Sequence, residues 1–491
     1  VPGGLLTDLY ELNMAASYLR RSMTGQATFS LFVRTLPPGR GFLVAAGLAD
    51  CLRFLEDFSF TADDLSYLRE TRGYPEKTLR EFARLRFTGD VRAVPEGRVV
   101  FAGEPLLEVT APVAEAQLVE TVLLNHVTFQ TAVATKAARC VLAARGAQLV
   151  DFSFRRTHGI DAALAVARAS AIAGFAATSN VAAARRYGLA AAGTMAHSFI
   201  EAFGDEQAAF AAFAGDFPAM TTFLVDTYDT ACGVRDAIEV TRRLRLPGPV
   251  GVRLDSGDLA VLARTARAIL DEAGLADARI FASGSLDEYA IAALVAAGAP
   301  IDAYGVGTKM GVSADAPYLD SAYKLAAYDG RPVMKLSAGK TSPPGAKQVY
   351  RGPDGDVLTL RDEAPLPGHQ PLPRPAGQRP GTAGRRAAAV PRRPRRPAAG
   401  GPGTARSGTG TSQDQRSAQD PPGPGDPRPQ TAHRRSAGRV IAHPGVDGRR
   451  AVQAWSPGQR AIARPWASAS RTSPLSTSRT SSPDAAASPA E

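Results

Sequence analysis

The sequence predicts an α/β protein of parallel βα units, as a β/α barrel rather than an open doubly wound sheet, with a disordered tail behind it. Three observations predict this. From residue 147 onward, short apolar runs alternate with longer helical patterns, as parallel strands joined by crossover helices do. The runs end in polar or glycine-rich residues, among them Arg155-Arg156-Thr157-His158, Asp255-Ser256-Gly257-Asp258 and Ser283-Gly284-Ser285. Functional groups gathered at strand C-termini are what a barrel displays over its mouth, although an open sheet places them there too. Beyond about His369 the chain is Pro, Arg, Gly, Ala and Ser with almost no apolar period, a composition that buries too little surface to offset its ordering entropy.

The elements follow in order. Residues Leu5 to Arg20 are expected to be helical, with Leu5, Leu9, Leu12, Ala16 and Leu19 on one apolar stripe and Tyr10 and Glu11 off it. Between Thr28 and about Thr110, β-like runs at Ala27–Val33, Gly41–Ala46, Arg98–Phe101 and Pro105–Val109 mix with helical pieces. Helix returns over Glu115–Ala144. Apolar runs then fall at Ala147–Phe154, Leu189–Gly193, Gly248–Leu254, Ala278–Ala282 and Ile301–Val306. The helices between them are expected at Asp161–Ala173, Ala177–Tyr187, Asp258–Ala273 and Leu286–Ala297.

The net charge of +10 is unevenly spread. After Ala364 there are twenty arginines and six acids, so that stretch carries +14 and the rest about −4. A basic excess invites a nucleic-acid reading, but here it lies wholly in the tail. No lysine follows Lys347, and both tryptophans, Trp455 and Trp466, lie in the tail. A GC-rich gene read out of frame from about residues 370–375 would produce that switch; a genuine basic disordered tail is the alternative. The three cysteines, Cys51, Cys140 and Cys232, are far apart and odd in number, which excludes a disulfide framework and a clustered zinc site and fits a reducing compartment. No apolar run approaches the ~20 residues of a membrane span, and Val1-Pro2-Gly3-Gly4 does not resemble a signal peptide. A cytoplasmic location is expected.

Several segments carry chemistry. In Gly305-Val306-Gly307-Thr308, small residues after a buried strand let backbone N–H groups close around an anion, and Thr308 adds a hydroxyl. Barrels often bind phosphate after their last strands. In Gly251-Val252-Arg253-Leu254-Asp255-Ser256-Gly257-Asp258, a strand delivers Arg253 and Asp255 to one side. Arg253 could grip a planar carboxylate or phosphate, and the carboxylates could hold ribose hydroxyls or Mg²⁺ through water. An internal Arg253–Asp255 pair, with Asp258 capping the next helix, is the equal alternative. Arg155 and Arg156 suit a polyanion or surface ion pairs. His126 sits in an apolar helical context and is expected to be structural, and His158 follows the arginine pair. His197, in Gly193-Thr194-Met195-Ala196-His197-Ser198, occupies a strand-end loop where a nucleophile or general base belongs. No second histidine lies at ligand spacing, so no metal site is expected.

Taken together, Leu5-Leu6-Thr7-Asp8-Leu9-Tyr10-Glu11-Leu12, Asp151-Phe152-Ser153-Phe154-Arg155-Arg156, Thr178-Ser179-Asn180-Val181, the His197 loop, the Arg253 segment, the Gly305 turn and Tyr323-Lys324-Leu325 resemble, in order, the motifs of the nicotinate phosphoribosyltransferase family. The resemblance runs from Leu5 to about His369. It implies a type II phosphoribosyltransferase-like fold, an irregular β/α barrel with a smaller mixed α+β domain. The N-terminal helix and mixed domain would take residues 1–125, the barrel 126–335, a return segment 336–368 and the tail 369–491.

The implied reaction joins nicotinate to 5-phosphoribosyl-1-diphosphate, giving nicotinate mononucleotide and pyrophosphate, with ATP hydrolysis coupled to it and ATP and Mg²⁺ bound transiently. By the same resemblance, Tyr10 lies against the nicotinate ring, reaching in from the partner of a homodimer with shared active sites. Thr194 and Arg253 contact nicotinate, Arg253 on its carboxylate. Thr308, Gly305, Gly307 and Asp255 hold the phosphoribosyl diphosphate, with Arg155 and Arg156 as further phosphate candidates. His197 matches the histidine that ATP phosphorylates. Partners are expected to be small-molecule substrates, not membranes or nucleic acids. Ser153 stands where many members carry Gly, and the family's C-terminal continuation is replaced. The alternatives are a nicotinamide or quinolinate phosphoribosyltransferase of the same fold, or a non-catalytic relic with a nucleic-acid-binding tail.

Overall fold

The computed structural model describes residues 3–337, 342–377 and 453–454. The expected disordered tail therefore lies outside the described residues, apart from 369–377 and 453–454.

The strands in chain order are β1 (Gln26–Val33), β2 (Leu43–Val44), β3 (Asp90–Ala93), β4 (Val99–Val100), β5 (Pro105–Pro112), β6 (Gln148–Asp151), β7 (Ala177–Thr178), β8 (Thr222–Leu224), β9 (Gly251–Leu254), β10 (Arg279–Ala282), β11 (Ala303–Val306), β12 (Ser321–Tyr328), β13 (Arg331–Pro332), β14 (Lys347–Gly352), β15 (Gly355–Leu360), β16 (Gln370–Pro371) and β17 (Arg374–Gly377), with Gln453–Ala454 added to β15.

One sheet is antiparallel, in the order β13-β12-β1-β5-β3-β17. Period-2 alternation explains its two faces. Along β1, Ala27, Phe29, Leu31 and Val33 enter an apolar core with Val109 and Ala111, and Phe29 stacks on Tyr323 with ring centroids 4.7 Å apart. The alternate residues are polar and paired: Thr28 meets Thr110 at 3.0 Å, and Ser30 donates to Glu108. Glu108 also receives the Lys347 backbone N–H and the Arg361 guanidinium, so the β14–β15 hairpin ties to this face through buried charge.

The second sheet is parallel throughout, in the order β7-β6-β11-β10-β9-β8. A parallel bridge from Thr178 to Ala191 extends its β7 edge. The result is a half-barrel with helices crossing between consecutive strands, the β/α architecture anticipated from the alternating pattern. Val252, Leu254, Ile280 and Phe223 are buried in one core, and Leu149, Tyr304 and Val306 in another beneath the helix Glu120–Ala143.

Several elements differ from expectation for identifiable reasons. The first helix begins at Leu9 rather than Leu5 and buries Glu11, Leu12, Ala15 and Ala16, leaving Leu9 exposed. Glu11 tolerates burial because the hydroxyls of Thr7 and Thr121 donate to its carboxylate. The expected helix Ala177–Tyr187 is split. Its first residues are β7, and Asn180 then caps the helix Val181–Tyr187 by accepting the Ala183 N–H at 3.0 Å. The run Leu189–Gly193 supplies only the bridge at Ala191, and β8 was not anticipated, being three residues long.

Order also extends further than the composition implied. Residues of the expected tail pair with the folded body, β16 with β14 and β17 with β3. Leu372 between them is buried and bonds Val349 through its backbone.

Candidate active site

A cavity of about 640 Å³ opens at the C-terminal end of the parallel sheet, lined by Phe152, Arg155, Ser179, the loop Gly193–Ser198, Arg253 and Asp255 among others. Strand pleating puts them there. Val252 and Leu254 point into the core, so Arg253 and Asp255 leave β9 on the opposite side, as their spacing predicted.

Arg253 organises the wall. Its Nε donates to Ser283 Oγ at 2.8 Å, Nη1 to Thr194 Oγ1 at 2.9 Å and to the Met195 carbonyl at 3.3 Å, and Nη2 to Asp255 Oδ1 at 2.7 Å. Phe152 supports the guanidinium from 5.5 Å, a cation–π contact that fixes its plane. Burial alone would raise the Asp255 carboxyl, but hydrogen bonds from Ser283 and Arg253 outweigh it and hold Asp255 below the usual carboxylate range. The sequence offered an ion pair or a ligand grip at these two residues. The structure contains the pair, with the arginine still on the cavity wall.

His197 opens the helix His197–Phe203. Its Nδ1 lies 3.1 Å from Thr227 Oγ1 and its Nε2 4.0 Å from Asp255 Oδ2. The imidazole is thus oriented from one side and reachable from the cavity. Asp226 Oδ2 accepts the Asp255 backbone N–H and the Ser256 hydroxyl, each at 2.8 Å, and so fixes the turn after β9. Below the cavity, Asp151 accepts from the Ser153 and Thr178 hydroxyls at 2.6 and 2.8 Å. Ser153 is fully buried in this role, its hydroxyl satisfied by Asp151.

The structure brings Thr194, His197, Arg253, Asp255 and Arg155 around one cavity. Gly305, Gly307 and Thr308 lie apart from its lining, at the end of β11, where Thr308 is exposed at the start of a short turn of helix. A Cβ on Gly305 would come within 2.7 Å of the Phe152 ring, so that glycine makes room for an aromatic floor. Arg156 is exposed and outside the lining. Tyr10 is half-exposed on the first helix, away from its own chain's cavity, and burial beside Glu120 and Glu11 pushes its phenol up. His158 is exposed, and burial lowers His126 below the ordinary histidine value.

Sequence reasoning missed Asp226 and Thr227 because they follow β8, and β8 itself was missed. Phe152 and Ser283 were visible only as strand-end residues. Among the described residues, no three His, Cys, Asp or Glu side chains form a group that could hold a metal ion. No helix among them is long and apolar enough to cross a membrane.

Comparison with known proteins gives consistent results. Residues 5–128 match the nicotinate phosphoribosyltransferase (NAPRTase) N-terminal domain, and residues 147–342 match the NAPRTase family. A nicotinate phosphoribosyltransferase of Mycobacterium tuberculosis is 55% identical over 350 residues, covering 71% of this chain and 75% of the relative. One from Bacillus subtilis is 45% identical over 378 residues, covering 73% and 76%. The crystal structure of human nicotinic acid phosphoribosyltransferase aligns at a TM-score of 0.67 with 29% identity, over 78% of this chain and 92% of that one.

Proposed function

The chain belongs to the nicotinate phosphoribosyltransferase family, and from that premise we propose that it joins nicotinate to 5-phosphoribosyl-1-diphosphate, releasing nicotinate mononucleotide and pyrophosphate. The observation that carries the reading is Arg253 on the wall of a cavity sized for a small ligand, its plane set by Phe152 and its partners. Such a cation suits the carboxylate that distinguishes nicotinate from nicotinamide. The nicotinamide and quinolinate alternatives and the non-catalytic relic are not favoured, since the relatives are named for nicotinate.

Nicotinate's ring nitrogen is already nucleophilic, so the protein's task is to hold it in line with the anomeric carbon. Arg253 and Thr194 would anchor the ring. As the C–O bond to pyrophosphate breaks, Arg155 on the cavity wall would receive its charge. Thr308 and the backbone N–H of Gly307, at the end of β11, would hold the phosphoribosyl group. Arg156 would be a further phosphate contact from outside the lining, and Gly305 keeps space for Phe152. Mg²⁺ we assign to the diphosphate as part of the substrate, since the described residues offer no cage of their own.

We further infer that ATP hydrolysis is coupled to the reaction through His197. Its accessible ring, held at Nδ1 by Thr227, supports a role as phosphoryl acceptor. A homodimer is supported by Tyr10, which is half-exposed beside the exposed Leu6 and Leu9 and does not line its own cavity. A cytoplasmic setting would keep Cys51, Cys140 and Cys232 reduced.

The decisive experiment measures nicotinate mononucleotide and ADP formed from nicotinate, phosphoribosyl diphosphate and Mg²⁺, with and without ATP, while nicotinamide and quinolinate compete. Preference for either competitor would refute the substrate assignment, and product formation indifferent to ATP would refute the coupling.

A further inference from the structure

Resting on the nicotinate reading above, we propose that Ser283 is a positioning residue: its buried hydroxyl decides which edge of the Arg253 guanidinium a pyridine carboxylate can reach, and keeps Asp255 directed at His197.

The geometry is specific. A guanidinium has five N–H donors, in two forks. Nε and Nη2 share the lateral fork, and Nη1 and Nη2 the terminal one. A carboxylate beside an arginine frequently fills one of its forks with both oxygens. Here it does not. Ser283 Oγ takes the Nε proton at 2.8 Å and donates its own proton to Asp255 Oδ1, leaving Asp255 only Nη2, at 2.7 Å. The hydroxyl works as a wedge that makes the Arg253–Asp255 pair one-pronged. The oxygen thereby spared, Oδ2, is the one 4.0 Å from His197 Nε2.

The wedge is firmly held. Ser283 is 2% exposed, and its backbone N–H bonds the Leu254 carbonyl at 2.8 Å. The next residue, Gly284, has φ +93°, and a Cβ there would lie 2.0 Å from the Asp255 carbonyl oxygen. Glycine alone lets this turn press so closely on Asp255.

With the lateral fork closed, the terminal fork remains. There Nη1 meets Thr194 Oγ1 and the Met195 carbonyl, both in cavity-lining residues. An incoming carboxylate would take the place of the Thr194 hydroxyl at Nη1, and that hydroxyl would turn from accepting the arginine's proton to donating its own to the ligand. Without Ser283, Asp255 would rotate into the lateral fork, dragging the guanidinium out of register and withdrawing Oδ2 from His197. A single serine would then set both the anchorage of the pyridine carboxylate and the environment of the histidine.

The test compares Ser283→Ala and Ser283→Thr with the wild type. In Ser283→Ala the KM for nicotinate should rise about tenfold, the size of one lost charge-assisted hydrogen bond. The KM values for nicotinamide and phosphoribosyl diphosphate should move less than about twofold, and stimulation by ATP should fall. The threonine variant keeps the hydroxyl and should restore both. Melting temperatures confirm that each variant folds, and calorimetric titration with nicotinate follows the same tenfold change without turnover.

Equal rises for nicotinate and nicotinamide, or nicotinate binding unchanged in Ser283→Ala, would overturn the proposal. A folded threonine variant as impaired as the alanine one would do so too. A wild type that binds nicotinate but forms no product would count against the catalytic reading alone, because the binding comparison still decides the role of Ser283.

Discussion

Replacing Arg253 with alanine should separate nicotinate from nicotinamide. The guanidinium would offer nicotinate a fork of two charge-assisted hydrogen bonds, each worth ~1.5–3 kcal/mol. Their sum spans roughly a hundredfold to ten-thousandfold in affinity. The structure places the effect at the lower end. Nη1 is already bonded to Thr194 and to the Met195 carbonyl, and Nη2 to Asp255, so at least one ligand bond is an exchange rather than a gain. A second consequence adds to the loss, because the variant leaves the Asp255 carboxylate beside the cavity without its cation, where it repels a second carboxylate. We expect the KM for nicotinate to rise about a hundredfold, equivalent to ~2.7 kcal/mol. For nicotinamide, which lacks the charge, the rise should stay within about threefold. Lysine at this position should recover only part of the loss, since it brings charge without the planar fork. Initial rates of mononucleotide formation across both pyridines give the numbers, and a parallel rise in the two KM values would refute the assignment of Arg253 to the carboxylate.

Other outcomes are equally concrete. His197→Ala should abolish stimulation by ATP and leave slow ATP-independent synthesis; ATP stimulation that survives, measured as ADP released per product, would remove His197 from the coupling. Chains ending at Gly377 and at Gln370 should differ in thermal stability, because the shorter one loses β17 and the buried Leu372, itself worth ~1.5–3 kcal/mol. Identical melting curves would contradict the pairing of that segment. Burial raises the Glu11 carboxyl from 4.5 to about 7, despite the opposing hydrogen bonds from Thr7 and Thr121. A carboxyl with a folded pKa above its unfolded one contributes its full stability below about 4.5 and loses it as pH rises through about 7. The wild type should therefore lose about 3 kcal/mol relative to Glu11→Gln between pH 4 and 8 in denaturant titrations. Parallel pH profiles would show that folding leaves the Glu11 carboxyl unshifted.

Much of the half-barrel was legible because its strands are apolar runs with punctuated ends. The runs predicted around β6, β9, β10 and β11 all hold at four residues each: β9, β10 and β11 keep their predicted C-terminal ends and start later, and β6 also stops short at Asp151. What escaped was short or conditional. Strands β7 and β8 exist because neighbours pair with them, and their two or three residues carry no period of their own. Glu11 reads as a surface residue until the hydroxyls that satisfy it are brought near from Thr7 and Thr121.

The site followed the same logic. Arg253, Asp255, Thr194 and His197 were visible as polar residues at strand ends. Ser283 and Thr227 act only through partners about thirty residues away in the chain, and no local pattern announces such a contact. Residues 370–377, which pair with the body, read as tail because Leu372 and its neighbours are few enough to be hidden in a proline-rich stretch.

The close approach of Gly305 to Phe152 has a consequence for how this pocket can change over generations. The ring has Gly305 on one side and the Arg253 guanidinium on another, with Phe281 5.6 Å away. A methyl group at 305 would therefore be felt at the arginine through the tilt of one phenyl ring. Residues 152, 253 and 305 are thus coupled: a larger residue at 305 needs room from both Phe152 and Phe281, and a smaller residue at 152 removes the arginine's support. Attempts to enlarge the pocket for bulkier pyridines should accordingly vary these three positions in one library, since the single steps between two working combinations are expected to be dead ends.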